Sequence, residues 1–146
     1  MSKPRILFID DEEIVLRSCR RIFANSDYEI DTAQSGEEGL SKAINEDYDI
    51  VVTDLKMPGI GGMEVLSRLR KIRPDTTVII FTGYASVDTA REALKNGAFD
   101  YIPKPFTPEE IREVIKNALE ARAGKQRSML DLMAIVSHEL KSPLSA

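Results

Sequence analysis

The chain of 146 residues has no tryptophan, one cysteine and one histidine, and its longest apolar runs are only a few residues long. A single thiol, Cys19, excludes an internal disulfide; its place on the apolar side of an expected helix makes it a small core residue. No run approaches the length of a membrane span. The stretch Ile6 to Ile9 is cut off by Asp10, too early for a signal peptide. Positive charge is not in excess either: the formal net charge is −4, which offers nothing to a nucleic-acid backbone or an anionic membrane. A soluble, cytoplasmic protein is the expectation. What remains is ordinary globular composition, 42% hydrophobic and 30% charged, enough for one domain with a real core and a short appendage.

The pattern along the chain is an alternation. Apolar, β-branched runs at Arg5–Ile9, Glu29–Ala33, Ile50–Val52, Thr77–Phe81 and Phe99–Ile102 read as short strands, the first buried and the third buried on both faces. Between them, apolar residues recur at helical spacing. Ile14, Val15, Cys19, Ile22 and Phe23 predict a helix over 12–25, and Leu40, Ala43 and Ile44 one over 36–46, capped by Ser35. Met63, Leu66, Leu69 and Ile72 predict a third over 62–72, stopped by Pro74. Val87, Ala90 and Leu94 face inward in a fourth over 86–95, with Gly97 as its stop. Thr107-Pro108-Glu109-Glu110 opens a fifth, whose buried face is Ile111, Val114, Ile115 and Ala118. Such alternation with short connections means a parallel sheet with helices on both faces. Right-handed crossovers make the doubly wound, flavodoxin-like order 2-1-3-4-5 the expected one.

That order gives the polar residues at strand ends a meaning. Asp10, Asp11 and Asp54 would stand at the C-terminal ends of the first and third strands, on either side of the switch point where such sheets bind ligands. Thr82 ends the fourth strand, and Lys104 follows the fifth on the same edge. Taken singly, Asp54 is a turn starter, Asp10-Asp11 an acidic helix start, Lys104 a solvated lysine and Thr82 a strand-end residue. Taken together they form a constellation. Three converging carboxylates repel one another, and a hard divalent cation held through oxygens, Mg²⁺ first, is the natural remedy. A metal beside an aspartate suits attack on phosphorus, since carboxylates form aspartyl-phosphates. An ammonium and a hydroxyl would add to the charge neutralisation that phosphoryl transfer needs.

Four stretches carry a resemblance. Ile9-Asp10-Asp11, Thr53-Asp54-Leu55-Lys56-Met57-Pro58-Gly59, Thr82-Gly83-Tyr84-Ala85 and Gly97 to Phe106 together resemble a receiver domain of the two-component response regulators, over residues 4–122. The resemblance implies that Asp54 accepts a phosphoryl group from a phosphohistidine donor protein. It implies Mg²⁺ ligation by Asp11, Asp54 and the Lys56 backbone carbonyl, with Asp10 acting through water. Lys104 and Thr82 would grip the phosphoryl oxygens, Thr82 and Tyr101 would be the switch pair, and the Lys104-Pro105 bond would be cis. Lys56 and Tyr84 stand where receiver domains tune phosphoryl lifetime.

Residues 1–122 are thus expected to form the receiver, 123–127 a linker or helix continuation, and 128–146 something else. Met129, Met133, Val136 and Leu140 form a heptad stripe suited to a helix partner, which favours a homodimer. His138 falls near the opposite side of that helix, at about 100° per residue. Ser137-His138-Glu139-Leu140-Lys141-Ser142-Pro143-Leu144 resembles the phosphoacceptor box of the histidine-kinase dimerisation helix. On that resemblance His138 is a second phosphorylation site, and a fragment of a longer receiver–kinase protein, with an attached kinase core, is expected. The competing expectation is a protein-interaction module whose acidic pocket is never phosphorylated. A metal-dependent phosphatase would want a second Asp where Lys56 stands. A flavin phosphate would be repelled by Asp10-Asp11-Glu12-Glu13.

Overall fold

The computed structural model describes residues 2–125; His138, its surrounding box and the proposed 128–146 helix lie outside them. Five strands, β1 (Arg5–Ile9), β2 (Glu29–Ala33), β3 (Ile50–Asp54), β4 (Thr77–Thr82) and β5 (Asp100–Pro103), alternate with α1 (Glu13–Ile22), α2 (Gly36–Asn45), α3 (Gly62–Ile72) and α4 (Val87–Lys95). A fifth helix, α5, occupies 108–125 of the described residues. All strand pairs are parallel and the order is β2-β1-β3-β4-β5, the doubly wound arrangement the alternation predicts. None of the described helices is long and apolar enough to cross a membrane.

Alternation along the strands divides the core in two. Ile6, Phe8, Ile50, Val52, Ile79 and Phe81 point to one face, where Leu16 and Cys19 of α1 and Ile111, Ile115 and Ala118 of α5 cover them. Leu7, Ile9, Val51, Val78 and Ile80 point to the other, under Leu40 and Ala43 of α2, Val65, Leu66 and Leu69 of α3 and Ala93 of α4. Helix boundaries follow local chemistry. The Ser35 hydroxyl accepts from Glu38 N at 3.1 Å. Thr107 and Glu110 form a reciprocal capping box, with the Glu110 amide donating to Thr107 Oγ1 and the Thr107 amide to Glu110 Oε1. Gly97, at φ 99°, ends the turn after α4 in a conformation side chains avoid.

α1 buries the expected face with one exception, and α4 presents another face than the apolar spacing predicts. In α1, Leu16 and Cys19 are buried and Ile14 is 69% exposed. Ile14 lies two positions before Leu16, about 200° around the helix, so both cannot face the sheet. In α4, Val87 and Leu94 stand in solvent and Ala93 alone is fully buried. A methyl-sized contact brings this helix onto the sheet, and the larger apolar residues are left outside. Ile72, at the end of α3, is likewise half exposed. Arg122 ties α5 to the strand beginnings, donating to the Asp75 carbonyl and to Thr77 Oγ1, and lying 3.4 Å from Asp49 Oδ1.

Candidate functional site

β1 and β3 lie side by side with Ile9 opposite Thr53. Register therefore delivers Asp10, the residue after β1, and Asp54, the last of β3, to the same end of the sheet. Asp11 follows one residue on and is exposed, while Asp10 and Asp54 are buried. Carboxylate oxygens of the three lie within 4.8 Å of one another. β5 pairs with β4 so that Thr82 is opposite Pro103, which sets Lys104 at the same edge after a cis Lys104-Pro105 bond.

The Lys104 ammonium is 2.6 Å from Asp10 Oδ2 and 3.4 Å from Asp54 Oδ2, over the Phe81 ring. Each aspartate also accepts one backbone amide: Glu12 N donates to Asp10 Oδ1 at 2.9 Å and Leu55 N to Asp54 Oδ1 at 2.8 Å. Asp10 thus holds the residue just before α1, which itself has no side-chain cap, and it also pairs with Lys104. Burial pushes the Asp54 carboxyl above its ordinary value and the Asp10 charge adds to this, against the Lys104 ammonium and the Leu55 amide. Burial works against the Lys104 charge, but the hydrogen bond and charge of Asp10, with Asp54 behind them, outweigh it and hold the ammonium above its usual range.

One ammonium faces three carboxylates, so the pocket has negative charge to spare. Its donors are all hard oxygens, close enough to share one ion, and such a set fits Mg²⁺. Lys56 lies in the loop leaving β3, and its ammonium covers the exposed Tyr84 ring at 4.5 Å. The Thr82 hydroxyl is buried and accepts from Tyr84 N at 3.0 Å. Tyr101 does not meet it. Its half-buried ring points its hydroxyl to Thr89 Oγ1, 2.6 Å away, where Ser86 N also donates at 3.3 Å. Asp10, Asp11, Asp54 and Lys104 therefore converge, with Thr82 at the same strand-end edge and Tyr101 tied to the first turn of α4.

Thr89 escapes sequence reasoning, since a polar residue on an exposed turn carries no mark of its partner. Glu37 also goes unread. It resembles any acidic first-turn residue, yet it accepts from Ile60 N in the loop after Asp54, at 2.7 Å.

Residues 6–116 match the family model described as the response regulator receiver domain. Among curated proteins, the regulatory protein AtoC of Escherichia coli is 38% identical over 122 residues, 84% of this chain and 26% of its own length. The transcriptional regulatory protein PrrA of Mycobacterium leprae is 34% identical over 143 residues, 98% of this chain and 61% of its own. The chain thus spans between about a quarter and three fifths of the length of these relatives. Among solved structures, a CheY-like receiver domain protein from Methanospirillum hungatei superposes with a TM-score of 0.82 at 36% identity, covering 85% of this chain and 99% of that one. The beryllofluoride-activated NtrC4 receiver domain dimer superposes with a TM-score of 0.77 at 36% identity, covering 81% and 98%.

Proposed function

The chain belongs to the response regulator receiver domain family, and on that premise we propose that Asp54 is its phosphoryl acceptor, charged by a phosphohistidine protein. Receiver domains act in two-component signalling and bind Mg²⁺ at an acidic pocket. The observation that carries the assignment is the convergence of Asp10, Asp11, Asp54 and Lys104 on one end of the sheet.

Asp10, Asp11, Asp54 and the Lys56 carbonyl would hold the ion, which supplies charge neutralisation for the carboxylates and for the incoming phosphoryl oxygens. An Asp54 carboxylate oxygen forms the new bond to phosphorus as the bond to the donor imidazole nitrogen breaks, its electron pair returning to that nitrogen. Lys104, already drawn to Asp10 and Asp54, offers its ammonium to the transferred group, and Thr82 its hydroxyl. That hydroxyl accepts from the Tyr84 amide, a bond that does not use its own hydrogen. Thr82 and Tyr101 are the switch pair of this reading. Tyr101 is fastened to α4 through Thr89 and Ser86, so rotation of its ring changes the first turn of α4. Intact mass after incubation with acetyl phosphate and Mg²⁺ tests the assignment. One added phosphoryl group, absent from Asp54→Asn and from a chelated sample, supports it; no addition from acetyl phosphate or from a phosphohistidine protein favours the interaction-module reading.

For the output we read 1–122 as the receiver, 123–127 as a linker or helix continuation and 128–146 as the start of a kinase core, with His138 as its phosphoacceptor and helix pairing in a homodimer. What supports this is the sequence box around His138 and the heptad stripe beside it. A transcriptional output is the second reading, and relatives such as the transcriptional regulatory protein PrrA favour it. Comparing His138 phosphorylation in the longest natural form of the protein, with Asp54 intact and as Asp54→Asn, separates them.

A further inference from the structure

The loop 55–61 between β3 and α3 carries Lys56, and its Leu55, Met57 and Ile60 side chains pack on the core. At its base the Gly62 amide donates to the Leu55 carbonyl at 2.9 Å. Its outer half is secured from a different element. Ile60 N donates to Glu37 Oε1 at 2.7 Å, and Glu37 belongs to the first turn of α2. Two glycines make room for this contact. Gly59 turns the loop at φ 79°, and a Cβ there would fall on the Glu37 carboxylate. A Cβ at Gly36 would fall on the Ile60 carbonyl. The Ile60 amide is also the main cause holding the Glu37 carboxyl below its ordinary value, so the bond is charge-assisted near neutral pH.

Glu37 is not among the carboxylates that converge at the strand ends. It reaches the site only through the loop, and with Gly36 and Gly59 shaped around that one hydrogen bond, its effect falls on where the loop backbone sits. We propose that Glu37 is a positioning residue for the metal site, clamping the loop so that the Lys56 carbonyl is held in place before the ion arrives. This rests on the reading of Asp10, Asp11, Asp54 and Lys56 as Mg²⁺ ligands. A residue supporting a ligand from outside the coordination set commonly changes metal affinity tenfold or more. An exposed hydrogen bond acting through backbone should lie at or below the low end of that range.

Mg²⁺ titration by calorimetry, together with amide hydrogen exchange of the metal-free chain, tests this on wild type, Glu37→Ala and Glu37→Gln. The alanine variant should bind Mg²⁺ about fivefold more weakly and exchange the Ile60 amide about tenfold faster. The glutamine variant, which keeps an acceptor oxygen and loses the charge, should stay within about twofold of wild type in both. Equal Mg²⁺ affinity in wild type and Glu37→Ala overturns the clamp. Equal weakening in both variants overturns it too, since long-range charge alone would then account for the effect. A wild type that takes up no Mg²⁺ instead removes the metal reading on which the clamp depends.

Discussion

Replacing Lys104 by methionine keeps the bulk of the side chain over Phe81 and removes the one ammonium in the pocket. Asp10, fully buried, then faces Asp54, nearly so, with no cation between them. Taking one partner from a buried ion pair costs about 3–5 kcal/mol, because the remaining charge is left desolvated. Partial protonation and the two backbone amides on these carboxylates relieve some of this, so a loss of about 3 kcal/mol at pH ~7.5 without metal is expected. For a domain of this size that is a fall of about 10 °C in Tm. The pH dependence has a definite sign. Asp54 already has a folded pKa above its ordinary value, and losing Lys104 raises it further. A raised carboxyl contributes stability that is present below the unfolded pKa, about 3.9, and lost as pH rises through the folded value. The gap between wild type and Lys104→Met should therefore narrow from about pH 7.5 to about pH 5. Mg²⁺ should stabilise the variant more than wild type, because the ammonium no longer competes for the carboxylates. Urea denaturation across pH, with and without Mg²⁺, reads all three. Equal stability at neutral pH, or a gap that does not change with pH, would refute the electrostatic account of this pocket.

Asp54→Asn should stabilise the metal-free protein near neutral pH, since the folded state disfavours the charged form it removes; the gain should fade as pH drops toward the unfolded carboxyl value, about 3.9, as measured by urea midpoints. Gly62→Ala should cost about 2 kcal/mol or more in thermal unfolding and impair phosphorylation, because its Cβ would fall on the Asp54 carbonyl, backbone against backbone. Cys19 is fully buried and its thiol is pushed up to about 12, by burial first and by the Asp10 charge next. It should resist a thiol reagent at pH ~8 until the chain unfolds, and then react at once, as followed by absorbance during a urea titration.

The strands and their order were legible because buried parallel strands demand consecutive apolar, β-branched residues, and Ile50-Val51-Val52 or Val78-Ile79-Ile80 fit few other structures. The carboxylate cluster was legible because each member ends or follows its own strand, and parallel register then brings the ends together. Helix orientation was less so. Helical spacing selects Val87, Ala90 and Leu94 in α4, but the contact with the sheet runs through Ala93, whose methyl weighs little in any periodicity. The same spacing admits Ile14, which Leu16 and Cys19 exclude from the buried face of α1. Long-range polar contacts outside the carboxylate cluster were not legible. Glu37 to Ile60, Thr89 to Tyr101 and Arg122 to the Asp75 carbonyl join residues whose types are common on any surface. Partners so far apart in sequence are known only once the fold has brought them together.

The proposed function requires that Asp54, and neither of its acidic neighbours, carry the phosphoryl group. Borohydride reduces an aspartyl-phosphate to homoserine, so peptide mapping after acetyl phosphate, Mg²⁺ and borohydride shows which residue was phosphorylated. Homoserine at position 54 alone is the expected result. Homoserine at position 10 or 11, or at position 54 in a sample never exposed to a phosphodonor, would contradict the account.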